Sequence, residues 1–189
     1  SEGEYRVLTG NQTGLLLTQY ILDSLKEENR LPENGVVIKT IVTTDGAKKI
    51  AESYNVELIE VLTGFKYIGE KMQGFEENKD KTYLFGFEES YGYLAGDFVR
   101  DKDAVIASML IAEMTLFYKE KGMSLYDALV ALYDKYGYFK ESLVSFELKG
   151  NVNKTNFNKF DEKGYFEFGG STIVLIVKEN IVTETINTI

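Results

Sequence analysis

The residues best suited to chemistry stand in the stretch GFEESYGYLAGDFVRDKDA, residues 86–104. Ionised Glu88 can accept hydrogen bonds from two neighbouring hydroxyls of a sugar, and Ser90 adds a short donor and acceptor two residues later. Gly86 and Gly92 would let a ligand approach the backbone closely. A plain polar turn is the alternative, although adjacent carboxylates repel and Gly, Asn or Asp would form such a turn more easily. The stretch is therefore either a turn or a hydroxyl-binding loop.

Positively charged residues stand near this stretch and near one other loop. Arg100 and Lys102 precede an expected helix, and Lys66 lies in the first turn of another expected helix, after LTG. Cations oppose the dipole at a helix N-terminus, so their presence there suggests an anionic ligand. A hydroxyl-binding loop beside such cations suggests a sugar phosphate. For a third loop, TTDG at residues 43–46, helix capping is the simpler explanation and anion binding is the alternative.

Such a site needs strands that end together, because open α/β sheets bind ligands beyond the carboxyl ends of their strands. Hydrophobic periodicity predicts the helices and strands of the first part of the chain. It predicts a helix over residues 13–29 capped by Asn11 or Thr13, a buried strand over residues 36–42, a short helix capped by Thr44 or Asp45, and a strand at VELIEVL.

The alternation of helix and strand continues through Gly137. A third helix begins near TGFKY, and KTYLFGF is the next strand, with Tyr83, Phe85 and Phe87 on one face. The segment DKDAVIASMLIAEMTLFYKEKG is apolar on nearly every side, which is typical of a helix packed deep in its domain. A fifth helix, SLYDALVALYDKYG, follows with Ser124 as its cap.

This order of elements predicts an α/β protein. We expect a three-layer α/β/α domain over residues 1–149, with a mostly parallel or mixed sheet of about four strands. The remaining residues, 150–189, form a β-rich C-terminal tail of unassigned fold, since STIVLIVKENIVTETI is strongly β-branched.

Composition narrows the classes of function. The chain has 189 residues, 44% of them hydrophobic, which is enough to bury a core. A net charge of -9 without a run of Lys or Arg argues against nucleic acid and anionic membrane as partners. The absence of Cys and His removes thiolate and imidazole chemistry. No apolar stretch approaches the length of a membrane span, so a cytoplasmic protein is the expectation.

The motifs together resemble one family closely. GFEESYGY followed by GDFVRDKDA, and preceded by VLTGFKYIGEKM and LTGNQTGLLL, is similar to the third domain of bacterial phosphoglucomutases. These belong to the α-D-phosphohexomutase family, which also includes phosphomannomutases. The resemblance extends from Glu4 to Lys149 and does not include the tail. The start of the chain, which lacks Met, suggests a piece excised from a longer enzyme.

The resemblance implies roles for the residues of the GFEES loop. The family's sugar-specificity loop binds sugar hydroxyls through a Glu-x-Ser core, which Glu88 and Ser90 match. Family members that accept both mannose and glucose often have His two residues after this Ser. Here Gly92 stands at that position, which favours glucose phosphates.

The resemblance also implies roles for the charged loops. The family's Thr-Gly-x-Lys turn faces the substrate and is matched by Thr63, Gly64 and Lys66. Its basic cluster after the sugar loop is matched by Arg100 and Lys102. In that cluster a lysine reaches into the active site, so the resemblance implies a catalytic role for Lys102 and a substrate-binding role for Arg100.

The implied reaction interconverts glucose 1-phosphate and glucose 6-phosphate through a phosphoserine and glucose 1,6-bisphosphate, with Mg²⁺ bound at the serine phosphate. The family's metal loop, serine loop and distal-phosphate motif have no match in this sequence, so we expect no metal ligands here and an inactive isolated fragment. Its partners would be a hexose phosphate and other domains of the same parent chain. The alternatives are a phosphomannomutase or dual-specificity domain, a non-catalytic sugar-phosphate-binding module, or a purely structural domain.

Overall fold

The structure is a computed structural model that describes residues 5–141 and the backbone of two strands near the C-terminus. The chain divides into two compact units between Tyr138 and Phe139. The elements in chain order are α1 Gly10–Glu27, β1 Gly35–Thr40, α2 Gly46–Ser53, β2 Glu57–Val61, α3 Phe65–Asn78, β3 Thr82–Glu88, β4 Gly92–Ala95, α4 Ala104–Glu120, α5 Leu125–Tyr136, β5 Leu175–Glu179 and β6 Val182–Ile186.

The first unit contains a mixed sheet with the strand order β2-β1-β3-β4. Strand β1 runs parallel to β2 and to β3, while β3 and β4 form an antiparallel hairpin. In the second unit β5 and β6 pair antiparallel, with Leu175 opposite Ile186. The predicted α/β class with about four strands is therefore confirmed. The predicted domain boundary near Gly150 lies outside the described residues.

Helices cover both faces of the sheet, which makes three layers. On one face lie α1, α2, α4 and α5, and the core there includes Leu16, Phe85 and Leu129. Among the described helices α3 covers the opposite face, where Ile38 and Ile68 are buried. Strand β1 is buried along its whole length, as expected for a parallel strand between two helical layers.

A β-bulge in β3 changes which side chains share a face. Val36 of β1 pairs with Tyr83, but the next residue, Val37, pairs with Phe85, so Leu84 is an extra residue. Tyr83 therefore packs on the α3 side, whereas Phe85 lies in the opposite core. The prediction that Tyr83 shares a face with Phe85 and Phe87 is wrong, because strict alternation does not hold across a bulge.

Helix α4 is less buried than its apolar sequence predicts. Val105, Met109 and Leu116 are 79%, 50% and 57% exposed, so the prediction of a deeply packed helix is wrong. The helix contacts β4, α1 and α5, all on one side. Its buried side chains, such as Met114, lie on that side, and the rest of its apolar surface faces outward.

The helix starts follow local capping. Thr9, rather than Asn11 or Thr13, caps α1, because it forms a capping box with Gln12. Ser124 caps α5 as predicted, through a second capping box. At α2 the Thr44 hydroxyl accepts from the backbone N–H of Gly46. None of the helices within the described ranges is long and apolar enough to cross a membrane.

Candidate functional site

Three loops meet at one edge of the sheet. Because β2, β1 and β3 are parallel, the segments that follow them, residues 62–64, 41–45 and 89–91, lie at the same edge. The predicted substrate-facing turn and the predicted sugar loop are two of these segments. The structure therefore brings both motifs to the edge where α/β sheets bind ligands.

Glu88 occupies the centre of this edge as the last residue of β3. It is 5% exposed, although it carries a carboxylate. Its Oε1 accepts a hydrogen bond from the backbone N–H of Gly64 at 3.0 Å. Gly64 precedes α3 with φ 117°, a conformation that favours glycine and that aims this N–H at Glu88. The GFEES loop and the LTGFK loop are thus joined directly.

The charge state of Glu88 depends on opposing influences. Burial raises the pKa of Glu88, and the nearby carboxylates of Glu89 and Asp101 raise it further, while Lys102 and the N–H of Gly64 lower it. Burial has the largest effect, so the pKa lies above the ordinary value of a glutamate. A buried carboxylate that is fixed through one of its oxygens is well placed to accept hydrogen bonds from a ligand.

Lys102 faces Glu88 from the segment before α4. Its Nζ lies 3.8 Å from Glu88 Oε2 and 5.6 Å from the centre of the Phe65 ring, while about half of the side chain stays exposed. Gly92 is paired with Glu88 across the hairpin. A Cβ at residue 92 would lie 3.0 Å from Glu88 Oε2 and 2.9 Å from Lys102 Cδ, so any side chain there would enter the site.

The LTGNQTG motif supports the turn that carries Ser90. Gly10 packs so closely that a Cβ there would lie 1.8 Å from the carbonyl oxygen of Glu89. Tyr91 is held at φ 64°, which is unusual for a bulky residue, and its hydroxyl donates to the carbonyl of Leu8 at 3.0 Å. Ser90 is exposed at the tip of this turn.

Thr63 and Lys66 flank the Gly64 contact. Both side chains are exposed, and Lys66 Nζ lies 4.9 Å from the ring centre of its neighbour Tyr67. Their position at the start of α3 places them beside Glu88. Their predicted contact with a substrate stays a prediction.

The side chain of Arg100 points away from Glu88. Its guanidinium forms an ion pair with Glu76 and donates to the carbonyl of Asp97. Glu76 is twelve residues beyond Gly64, about 18 Å along α3. The backbone of Arg100 also packs on Gly69, where a Cβ would lie 2.5 Å from its carbonyl oxygen. The structure thus does not bring the Arg100 side chain together with Glu88, and its substrate-binding role stays a prediction.

Sequence reasoning missed a buried lysine beneath the three loops. Lys39 is fully buried on β1, and its Nζ lies 2.8 Å from Glu60 Oε1, 3.1 Å from Asp45 Oδ1 and 2.9 Å from the carbonyl oxygen of Thr43. The sequence did contain a signal, because a lysine within the apolar run VVIKTIV must find buried partners.

Sequence reasoning also missed the partners of Glu89. Its Oε2 lies 3.2 Å from the hydroxyl of Thr43 and 3.5 Å from that of Thr40. Successive side chains at the end of a strand point to opposite sides, so Glu89 turns toward these threonines while Glu88 turns toward Gly64. This separation explains how two adjacent carboxylates are accommodated in one turn.

Acidic residues do not gather into a metal centre in the part of the chain that the structure describes. Within those residues no group of three or more Asp, Glu, His or Cys side chains is placed to hold a metal ion.

The fold and the arrangement of loops define a three-layer α/β/α domain with polar and charged side chains collected at one sheet edge. A family model described as phosphoglucomutase/phosphomannomutase, alpha/beta/alpha domain III, matches residues 9–136. The chain therefore belongs to the phosphoglucomutase/phosphomannomutase family, of which it contains domain III. This confirms the family that the sequence motifs indicate.

Two sequence relatives agree with this assignment, and one solved structure shares the fold. A phosphoglucomutase of Staphylococcus saprophyticus is 34% identical over 179 residues, which cover 93% of this chain and 32% of that protein. A phosphopentomutase of Mus musculus is 38% identical over 139 residues, 72% of this chain and 22% of that protein. The crystal structure of a provisionally assigned phosphomannomutase from Thermus thermophilus matches with a TM-score of 0.55 at 17% identity, over 89% of this chain and 34% of that one.

The chain is much shorter than the relatives that it matches. It spans about a third or less of the length of these relatives. A match over 93% of 189 residues must also continue beyond residue 150, so sequence similarity to the family includes part of the C-terminal tail.

Proposed function

We propose that this chain is the sugar-specifying domain of a phosphoglucomutase that interconverts glucose 1-phosphate and glucose 6-phosphate. The observation that carries the proposal is the buried carboxylate of Glu88, held between the N–H of Gly64 and the ammonium of Lys102 at the shared edge of the parallel strands. A carboxylate in that position can accept hydrogen bonds from sugar hydroxyls, and the cation beside it favours an anionic substituent on the same ligand.

Five of the predicted residues have a part in this proposal. Glu88 accepts from vicinal hydroxyls, and Ser90, exposed at the tip of the turn, donates to or accepts from a third. Lys102 contributes positive charge close to the reacting phosphate. Thr63 and Lys66 stand at the start of α3, where free backbone N–H groups add to the attraction for phosphate.

The proposal also includes the phosphoryl transfer itself, which would take place in the full-length enzyme. In the full-length enzyme Mg²⁺, a phosphoserine and glucose 1,6-bisphosphate would take part, with the metal and the serine supplied by other domains of the same parent chain. This domain would then select the sugar without transferring the phosphoryl group. We expect the isolated chain to be inactive and the enzyme to work in the cytoplasm.

Two other sugars are the competing ligands. A mannose phosphate is the substrate if the domain comes from a phosphomannomutase or a dual-specificity enzyme. A pentose phosphate is a further candidate, since the mouse relative is named a phosphopentomutase. Gly92 adds no side chain of its own beside Glu88 and Lys102, and glycine at this position favours the glucose form of the loop.

An NMR titration tests the proposal. Amide signals of the chain are followed while glucose 1-phosphate, mannose 1-phosphate or ribose 1-phosphate is added. We expect glucose 1-phosphate to shift Gly64, Glu88, Ser90 and Lys102 in a saturable way, with weak affinity, because one wall of a cleft supplies only part of the contacts. Stronger shifts with mannose or ribose phosphate favour the competing sugars. Absence of shifts with all three at millimolar concentration contradicts the proposal and favours a structural domain.

A further inference from the structure

A series of hydrogen bonds runs beneath the turn that carries the proposed sugar ligands. The hydroxyl oxygens of Thr40 and Thr43 are 2.6 Å apart. Each hydroxyl has a single hydrogen to donate. Since Thr43 is the closer of the two to Glu89, at 3.2 Å against 3.5 Å, its hydrogen goes to that carboxylate and Thr40 donates to Thr43.

Thr43, which takes part in this series of hydrogen bonds, is held in place by the buried ammonium of Lys39. Its Nζ donates to the carbonyl of Thr43 at 2.9 Å and pairs with Asp45 in the same loop. On the other side it pairs with Glu60 of β2, its neighbour in the sheet register. Thr43 is thus held through its backbone by Lys39, while its side chain holds Glu89.

Glu89 stands between the two residues that the proposed function assigns to the sugar. Its backbone joins Glu88 to Ser90, and its carbonyl oxygen packs against Gly10 of α1. Once its side chain is tied to Thr43, the direction of both neighbours is restricted. Without that tie, the turn at residues 89–91 keeps the contacts of Tyr91 and Gly10 but loses its hydrogen bond to the loop that follows β1.

Resting on the proposed function, we propose that Thr43 is a positioning residue for the sugar loop, acting through Glu89, with Lys39 as its anchor. Neither side chain needs to touch the ligand. Thr43 holds the loop in its binding conformation before the sugar arrives, which removes part of the ordering entropy that binding would otherwise require. The hydrogen bond from the Thr43 hydroxyl to the Glu89 carboxylate is a bond to a charged group, so its loss should weaken binding of the sugar about tenfold.

Three variants of the chain test the proposal, with glucose 1-phosphate as the probe. Thr43→Val removes the hydroxyl and keeps the shape, whereas Thr43→Ser keeps the hydroxyl. Thr18→Val is the matched control, because Thr18 is another fully buried threonine whose hydroxyl bonds only to the backbone of Gly14 in α1. We expect about tenfold weaker binding for Thr43→Val, and affinity near that of the wild type for Thr43→Ser and for Thr18→Val.

A double variant separates positioning from general destabilisation. If Thr43 acts through Glu89, Thr43→Val should cause no further loss of affinity in a chain that already carries Glu89→Ala. In the ligand-free protein Thr43→Val should also shift the amide signals of residues 89–91, and Thr43→Ser should restore them.

The outcomes separate this proposal from the proposed function. Unchanged amide signals at residues 89–91 in Thr43→Val overturn the positioning role, whether or not a sugar binds. Shifted signals with unchanged glucose 1-phosphate affinity overturn it as well. If Thr43→Val weakens glucose 1-phosphate binding equally in the wild-type chain and in the Glu89→Ala chain, Thr43 does not act through Glu89, and the proposal is contradicted. A wild-type chain that binds no sugar phosphate contradicts the proposed function, while the ligand-free spectra still decide whether Thr43 positions the loop.

Discussion

The backbone N–H of Gly64 donates to Oε1 of Glu88 at 3.0 Å, and this bond joins the start of α3 to the end of β3. The two residues are 24 positions apart and come from two of the motifs that indicate the family. The bond occupies one carboxylate oxygen and leaves the other toward Lys102. The contact therefore orients the carboxylate as well as linking the loops.

Replacement of Glu88 by Gln should make stability less dependent on pH. Because burial raises the pKa of Glu88, the folded chain keeps this proton to a higher pH than the unfolded chain does. Between the ordinary value of 4.5 and the raised value, unfolding releases a proton, so wild-type stability falls as pH rises through that window. Urea unfolding from pH 4 to 8 should show Glu88→Gln gaining on the wild type as pH rises, whereas a constant difference would contradict this.

Asp127 offers a comparison of opposite sign. Its pKa is lowered by hydrogen bonds from the hydroxyl and the backbone N–H of Ser124 in the α5 capping box. The stabilisation is present above the ordinary value of 3.8 and is lost as pH falls through the lowered value. In urea unfolding from about pH 2 to about pH 5, Asp127→Asn should therefore lose ground to the wild type as pH rises. If the stability difference between the wild type and Asp127→Asn became smaller as pH rises, this prediction would be contradicted.

Gly10 should not tolerate a side chain. A Cβ there would lie 1.8 Å from the carbonyl oxygen of Glu89, and neither backbone can move without separating α1 from the sugar loop. We expect Gly10→Ala to lower the free energy of unfolding by about 3 kcal/mol. Gly74→Ala is the matched control, since nothing lies within 4 Å of its Cβ position in α3 and Ala favours a helix by about 1 kcal/mol. Equal effects of the two substitutions in urea unfolding would show that the close contact is unimportant.

The buried ammonium of Lys39 should be essential for stability. Replacement by Met leaves the carboxylates of Glu60 and Asp45, which are 31% and 25% exposed, without their shared cation, so we expect the free energy of unfolding to fall by about 2 kcal/mol. Lys48→Met, at an exposed position of α2, should change the free energy of unfolding by less than about 0.5 kcal/mol. A Lys39→Met protein as stable as the Lys48→Met protein would contradict the anchoring role.

Much of this architecture follows from local patterns. The β-branched run of β1 and the periodic apolar residues of α1 predict the layers, and Ser124 predicts the start of α5. Burial in α4 was not predictable, because its sequence is apolar on all sides and only the neighbouring elements decide which side is covered. The bulge at Leu84 was equally hidden, since it depends on how β1 and β3 pair.

The candidate site shows the same limit. The residue types of Glu88, Ser90 and Lys102 suggest sugar and phosphate ligands, and the resemblance to the family adds a role for each. The tie between Glu89 and Thr43 joins residues 46 positions apart and leaves no local pattern. Likewise, the sequence places Arg100 beside Lys102, but the structure directs its guanidinium to Glu76, because the side chain follows the packing of the loop on α3.

The central claim is that Glu88 recognises the sugar of a hexose phosphate. The most direct measurement is the dissociation constant of glucose 1-phosphate for the wild-type chain and for Glu88→Gln, with Glu77→Gln, at an exposed position near the C-terminal end of α3, as a control. Loss of the carboxylate should weaken binding at least about tenfold, since a hydrogen bond to a charged group is removed, while the control should bind as the wild type does. Equal affinities for the wild type and Glu88→Gln would contradict the claim.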